Sequence, residues 1–211
     1  MSALGSSGIA SGARRAVRGA RWVLLIVVLA YVADVAYSYS HVHQAHLAES
    51  ASAEIETQVL TMNDVDGNHL PPPSATNEAD ASVAGMDVNG NGIRDDVELA
   101  IFAKYPTSTI PRAAELQYAL ALQTMLTKVF DPETWKAAAV QEGRGYQCIG
   151  KTYPRTDLQT YLQIVGARVT EVEDLEFNTS SRVAAKEKAF GFTTSYALPA
   201  DNFCDLDPST L

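Results

Sequence analysis

"LQTYLQIVGARVTEVEDL", residues 158 to 175, sets Leu158, Tyr161, Leu162, Val165, Val169, Val172 and Leu175 three and four apart. That spacing returns an apolar side chain to one face at every turn of an α-helix, and no other stretch of the chain is as periodic. Upstream segments repeat the pattern. Ile93, Val97, Ile101 and Tyr105 fall four apart, and Pro106 ends the run. From Pro111, a favourable first-turn position, Leu116, Ala119, Leu120, Leu122, Leu126 and Val129 make a broad apolar face. Asp131 and Pro132 read as a cap and a first-turn proline, opening a helix through Trp135, Ala138 and Ala139 towards Cys148. After an interruption at residues 178 to 181, "RVAAKEKAF" resumes helical character until Gly191. No strand-like alternation is as clear. The spacing predicts an all-α fold, a small helical bundle whose stripes form its core, with an irregular tail.

At 211 residues and 46% hydrophobic content, the chain has room for one ordinary domain and a targeting segment. Arg14, Arg15, Arg18 and Arg21 precede the apolar run "WVLLIVVLAYVADVAYSYS", and no Lys or Arg follows until Arg94. This asymmetry predicts a cytoplasmic amino end and a remainder outside. As a helix, Trp22 to Tyr39 would span roughly 26 Å, enough for a hydrocarbon core if Asp34 reaches the far interface. The uninterrupted core from Val23 to Ala33 is also of signal-peptide length, with Ser38 and Ser40 as small residues before a cleavage site. Two localisations follow: anchored in the inner membrane through residues 22–40 and facing the periplasm or extracytoplasmic space, or secreted after cleavage. The chain carries 16 Lys and Arg against 25 Asp and Glu; residues 1–40 hold four of the cations and one of the acids, leaving 12 against 24. Such an acidic remainder attracts divalent cations and excludes nucleic acid as a partner. In an exported chain, the two cysteines, Cys148 and Cys204, are expected to form a disulfide.

Between the apolar run and the bundle, residues 41–84 have few large apolar side chains, carry "LPPPSATNEADAS", and read as a flexible spacer. His41, His43 and His46 cluster there, but without groups to orient them they read as a solvated tract rather than a metal site. The domain plan is therefore a basic segment over 1–21, a signal or anchor over 22–40, the spacer over 41–84, and a folded domain over 85–211.

That domain opens with "DVNGNGIRDDVE", residues 87 to 98. Counting from Asp87, side-chain oxygens fall at positions one, three, five, nine and twelve: Asp87, Asn89, Asn91, Asp95 and Glu98. Gly92 is sixth and Ile93 seventh. The pattern is that of a calcium loop. Calcium takes six to eight oxygens, which alternate side chains on a curled backbone supply; Gly92 allows the bend, Ile93 offers its carbonyl, and Glu98 offers two oxygens at once. Asn-Gly turn chemistry accounts for the glycines, but not for Asp95 and Glu98 at the remaining positions. The stretch resembles EF-hand-like calcium loops, more closely those of dockerins and thrombospondin type 3 repeats, which lack an entering helix. It is also similar to loops in exported bacterial proteins. The resemblance covers twelve residues and implies a bound Ca2+ with ligand roles at these positions, and no activity. Arg94, at position eight, departs from the branched apolar residue of paired EF-hands. "NDVDGNH", residues 63 to 69, is a poor second copy.

Three functions are compatible with these features. The first is a calcium-stabilised structural or interaction protein of the cell envelope. The second is a calcium-dependent docking module for an envelope protein partner, which an exposed patch at Phe102 and Tyr105 would favour. The third is an enzyme, the least favoured: G-x-S-x-G, H-E-x-x-H, C-x-x-C and Walker patterns are absent, and Glu171, Glu173, Asp174 and Glu176 read as a solvated helix face rather than a catalytic pair.

Overall fold

The computed structural model describes residues 7–73 and 76–211. Among them there are helices, turns and loops but no strand, as the periodicity predicts. The helices are α1 (Ser7–Thr57), α2 (Met62–Val65), α3 (Thr76–Ala79), α4 (Asp95–Lys104), α5 (Thr109–Lys128), α6 (Pro132–Lys151), α7 (Leu158–Glu176) and α8 (Ser180–Phe190). They fall into two compact units, Met1–Leu47 and Ala48–Leu211.

In the first unit, α1 presents Trp22, Leu24, Leu29 and Tyr31 about two-thirds exposed. Its stretch Arg21–Thr57 is long and apolar enough to cross a membrane, and none of the qualifying window is buried. A core helix would hide such side chains; a membrane anchor or a signal sequence would not. Of the basic segment expected over 1–21, residues 1–6 and the side chains of Arg14, Arg15 and Arg18 lie outside the described residues.

The second unit is built around α5, which packs against α2, α4, α6, α7 and α8 and is buried from Arg112 to Leu126. A helix surrounded in this way needs apolar or small side chains on every face, and Ala113, Ala114, Leu116, Ala119, Leu120, Ala121 and Leu122 supply them. The α6 start follows its sequence signal: Asp131 accepts from the Thr134 amide at 2.9 Å, with Pro132 in the first turn. Asp157 and Thr179 cap α7 and α8 in the same manner.

The structure corrects three expectations. The flexible spacer expected over 41–84 is part of the folded unit from Ala48 onward: Ile55 and Val65 are fully buried and Leu60 nearly so, in the same clusters as α5 and α6. Few apolar residues suffice there because α5 and α6 complete the core around them. On α7, Leu158 and Leu162 are 65% and 54% exposed while Val165, Val169 and Val172 are buried. All five lie on one angular stripe, so position along the axis, not helix face, separates them. Finally, the acids of α7 are not one solvated face. Glu176 is fully buried, Glu173 accepts from the Tyr118 hydroxyl at 2.9 Å, and Glu171 pairs with Lys104.

A buried polar knot joins α4, α5 and α7. Glu115, fully buried, accepts from Tyr105 Oη at 2.6 Å, Arg168 Nε at 2.6 Å and Lys104 Nζ at 3.1 Å. Three donors satisfy a carboxylate whose burial would otherwise be costly.

Candidate metal centre

Residues 85–98 form a turn fixed mostly by its own side chains. Asp87 closes it: Oδ1 accepts from the Gly90 and Asn91 amides at 2.9 and 3.2 Å, and Oδ2 from the Gly92 amide at 2.9 Å. Asn91 Oδ1 accepts from the Ile93 amide at 2.9 Å, and Asp95 Oδ1 from the Val88 amide at 2.9 Å. The Asp95 amide donates to Met86 O at 2.8 Å and joins the two ends. Gly92 lies at φ +86°, and a Cβ there would come within 2.3 Å of Gln58 Nε2 and 2.8 Å of a Leu120 methyl, so the bend needs both the backbone freedom and the space.

Negative charge gathers where α4 begins. Asp95, Asp96 and Glu98 occupy its first turn, where the exposed amide ends of the helix favour anions. Asp95 is fully buried and its Oδ2 has no hydrogen-bond partner. Glu98 is 1% exposed, and its oxygens accept from Asn89 Nδ2 at 3.0 Å and Asn91 Nδ2 at 3.1 Å. Burial pushes the Glu98 carboxyl up to about 7; the two amide donors oppose the shift, and the charges of Asp95 and Asp64 add to it. Of the residues singled out in the sequence, Asn89, Asn91 and Glu98 touch directly, Asp87 and Asp95 hold the backbone around them, and the Ile93 side chain is buried in the core. Among the described residues no three His, Cys, Asp or Glu side chains converge as a ready-made metal cage.

No family model, curated protein or solved structure matches this chain.

The fit to a cation therefore rests on local chemistry. Two of the five side-chain positions are amides that now turn nitrogen towards Glu98; rotation of an amide would present oxygen instead with the same shape, giving up the Asn91 bond to the Ile93 amide and the Asn89 bond to His69 O. The lone Asp95 oxygen and the buried Glu98 carboxylate are groups that a hard cation would satisfy and that water does not reach.

Two buried arginines, one in the turn and one on α8, tie the turn to its surroundings, and neither role was legible in the local sequence. Arg94, fully buried, reaches the end of α7, where it donates to Leu175 O and to Glu176 O and Oε2, the latter two at 3.3 Å, and it also pairs with Asp96. Arg182 of α8, also fully buried, gathers the approach to the turn: it donates to Asp80 Oδ1 at 2.7 Å, to Val83 O and Ser82 O at 3.2 Å, and to Ala79 O. A Cβ on Gly85, at φ +67°, would overlap the Arg94 side chain. Position eight thus engages the α7–α8 corner. Residues 63 to 69, the poor second copy, also lie alongside: His69 O accepts from Asn89 Nδ2 at 3.1 Å.

Cys148 and Cys204 form the expected disulfide, across 56 residues. Next to it Asp205 accepts from the Leu60 amide at 2.9 Å and from Arg144 at 2.7 Å. Gln117 grips the same tail, donating to Phe203 O and accepting from the Asp205 amide. Phe102 is 9% exposed and Tyr105 gives its hydroxyl to Glu115, so these two do not form the exposed patch that would favour partner docking.

Proposed function

We propose that the protein is a calcium-stabilised helical domain that acts outside the cytoplasm as a structural or interaction component of the cell envelope. It is either held to the membrane by residues 22–40 or released after cleavage there, and it performs no enzymatic step. One observation carries the calcium reading: Asp95, fully buried with an unpartnered oxygen, stands in the same short turn as the buried Glu98 carboxylate. Asp87, Asn89, Asn91, the Ile93 carbonyl, Asp95 and Glu98 would hold the ion. It would supply positive charge where the Asp95 and Glu98 carboxylates repel one another within a closed turn. Export is supported by the apolar α1 and by the disulfide, which belongs to an oxidising compartment.

Three carboxylates give an affinity on the order of 10⁻⁴ M, the range of extracellular modules. Calorimetric titration of the full-length chain with calcium is expected to show a single site, and thermal melts should rise with calcium and fall with chelator. Absence of binding heat at millimolar calcium together with superimposable melts would overturn the reading.

A further inference from the structure

Against the turn lies a cleft of about 570 Å³, within the range of small-molecule sites. Its walls are the end of α1 at Thr57 and Gln58, the last two turns of α5 from Gln123 to Lys128, and the turn itself from Ala84 to Gly92. We infer that this cleft binds a small uncharged molecule rich in neighbouring hydroxyl groups, a sugar or a linear polyol. The inference rests on the calcium reading only in that the same turn forms one wall.

The lining sets the ligand class by what it leaves over. Its charges are already engaged: Lys128 Nζ donates to Glu54 at 2.8 Å and to Gln58 Oε1 at 2.9 Å, and both Asp87 oxygens accept from loop amides. A phosphate or carboxylate would have to compete with Glu54 for the lysine of the lining. Nor does an aromatic side chain line the cleft on which a base could stack. What remains is acceptors. Thr124 and Thr127 spend their hydroxyl protons on Leu120 O at 2.8 Å and Gln123 O at 2.7 Å, and Thr57 donates to Ala53 O at 3.0 Å. Each keeps oxygen lone pairs for an incoming donor. Gln123 is fixed by its Nε2 bond to Ala84 O at 2.7 Å. Gln58 adds an amide group. A ligand carrying several O–H donors answers this surface; an apolar, ionic or flat one does not.

The test uses the full-length chain in lipid nanodiscs, since sugar-headed detergents would compete. Saturation-transfer NMR is run with cellobiose, diacetylchitobiose and sorbitol, in calcium and in chelator. Each probe is at roughly ten millimolar, where a site of ~1 mM Kd would be nearly full. At least one probe should receive saturation, and Thr127→Trp, which fills the cleft from an exposed position, should weaken its binding at least tenfold. The disaccharides and sorbitol separate a cyclic from a linear source of the hydroxyls. Silence from all three probes, or binding indifferent to Thr127→Trp in a variant that melts like the parent, overturns the inference. Calcium heats measured on the same samples keep the two readings apart: calcium binding without transfer sinks the cleft alone, and transfer without calcium binding sinks the ion alone.

Discussion

Glu98 is the residue on which the proposed metal centre turns, because its buried carboxylate faces two neutral amide donors. Glu98→Gln keeps its shape and removes the charge a cation would meet. At calcium a hundredfold over Kd, ligand linkage is worth about 2.7 kcal/mol. The variant is expected to lose most of that increment in calcium-dependent melts while changing little in chelator; an undiminished increment would remove Glu98 from the site. Arg182→Met tests the brace. It strands Asp80 and three carbonyls, with an expected cost of about 3 kcal/mol by denaturant unfolding, and it should weaken calcium binding because the approach to the turn loses its anchor. Glu176 gives a pH signature. Burial raises its carboxyl from 4.5 to about 8, against the pull of Arg94 and Arg182, so the protonated form is favoured by folding. A raised carboxyl contributes stability that is complete below 4.5 and lost as pH climbs through 8. Glu176→Gln does not titrate and should gain on the parent protein across that window in melts; parallel curves would show that the arginines prevail over burial. The oxygen pattern of the turn was legible because all its members lie within twelve residues. Arg94 and Arg182 were not, since a cation in a polar stretch reads as solvated and their carbonyl partners stand some 80 to 100 residues away.

Helices α4 to α8 were legible as elements because each carries its own period and stop signals. Residues 48–73 were not, for the complementary reason: Ile55, Leu60 and Val65 have no shared period, and only α5 and α6 make them a core. The exposure of Leu158 and Leu162 lay equally beyond the sequence, since periodicity fixes a helix face but not how far along its axis a neighbour extends. At this scale the disulfide is the main tie between the tail and α6. Closing 56 residues, it is worth ~4 kcal/mol on the chain-entropy account. Cys148→Ser with Cys204→Ser should lower the denaturant midpoint accordingly. It should also loosen the tail's hold on Gln117 and Leu60, read as faster amide exchange at Leu60 and Asp205. Unchanged exchange would mean that the polar contacts hold the tail alone.

For the whole molecule, the four arginines ahead of the apolar run and the lack of Lys and Arg from 22 to 93 predict an orientation. Alkaline phosphatase fused after Leu211 is expected to be active, because that enzyme folds only after export; an inactive fusion retained in the cytosol would reverse the topology. The Leu60–Asp205 hydrogen bond, spanning 145 residues, then acquires a meaning in time. On the proposed export, a chain that threads outward in sequence order delivers Leu60 long before Asp205 arrives to hold it, and Cys148 waits likewise for Cys204. On that route Ile55, Leu60 and Val65 would stay uncovered until the stretch bearing Cys204 and Asp205 has crossed and the disulfide has formed, making maturation a late and nearly simultaneous event rather than a progressive one.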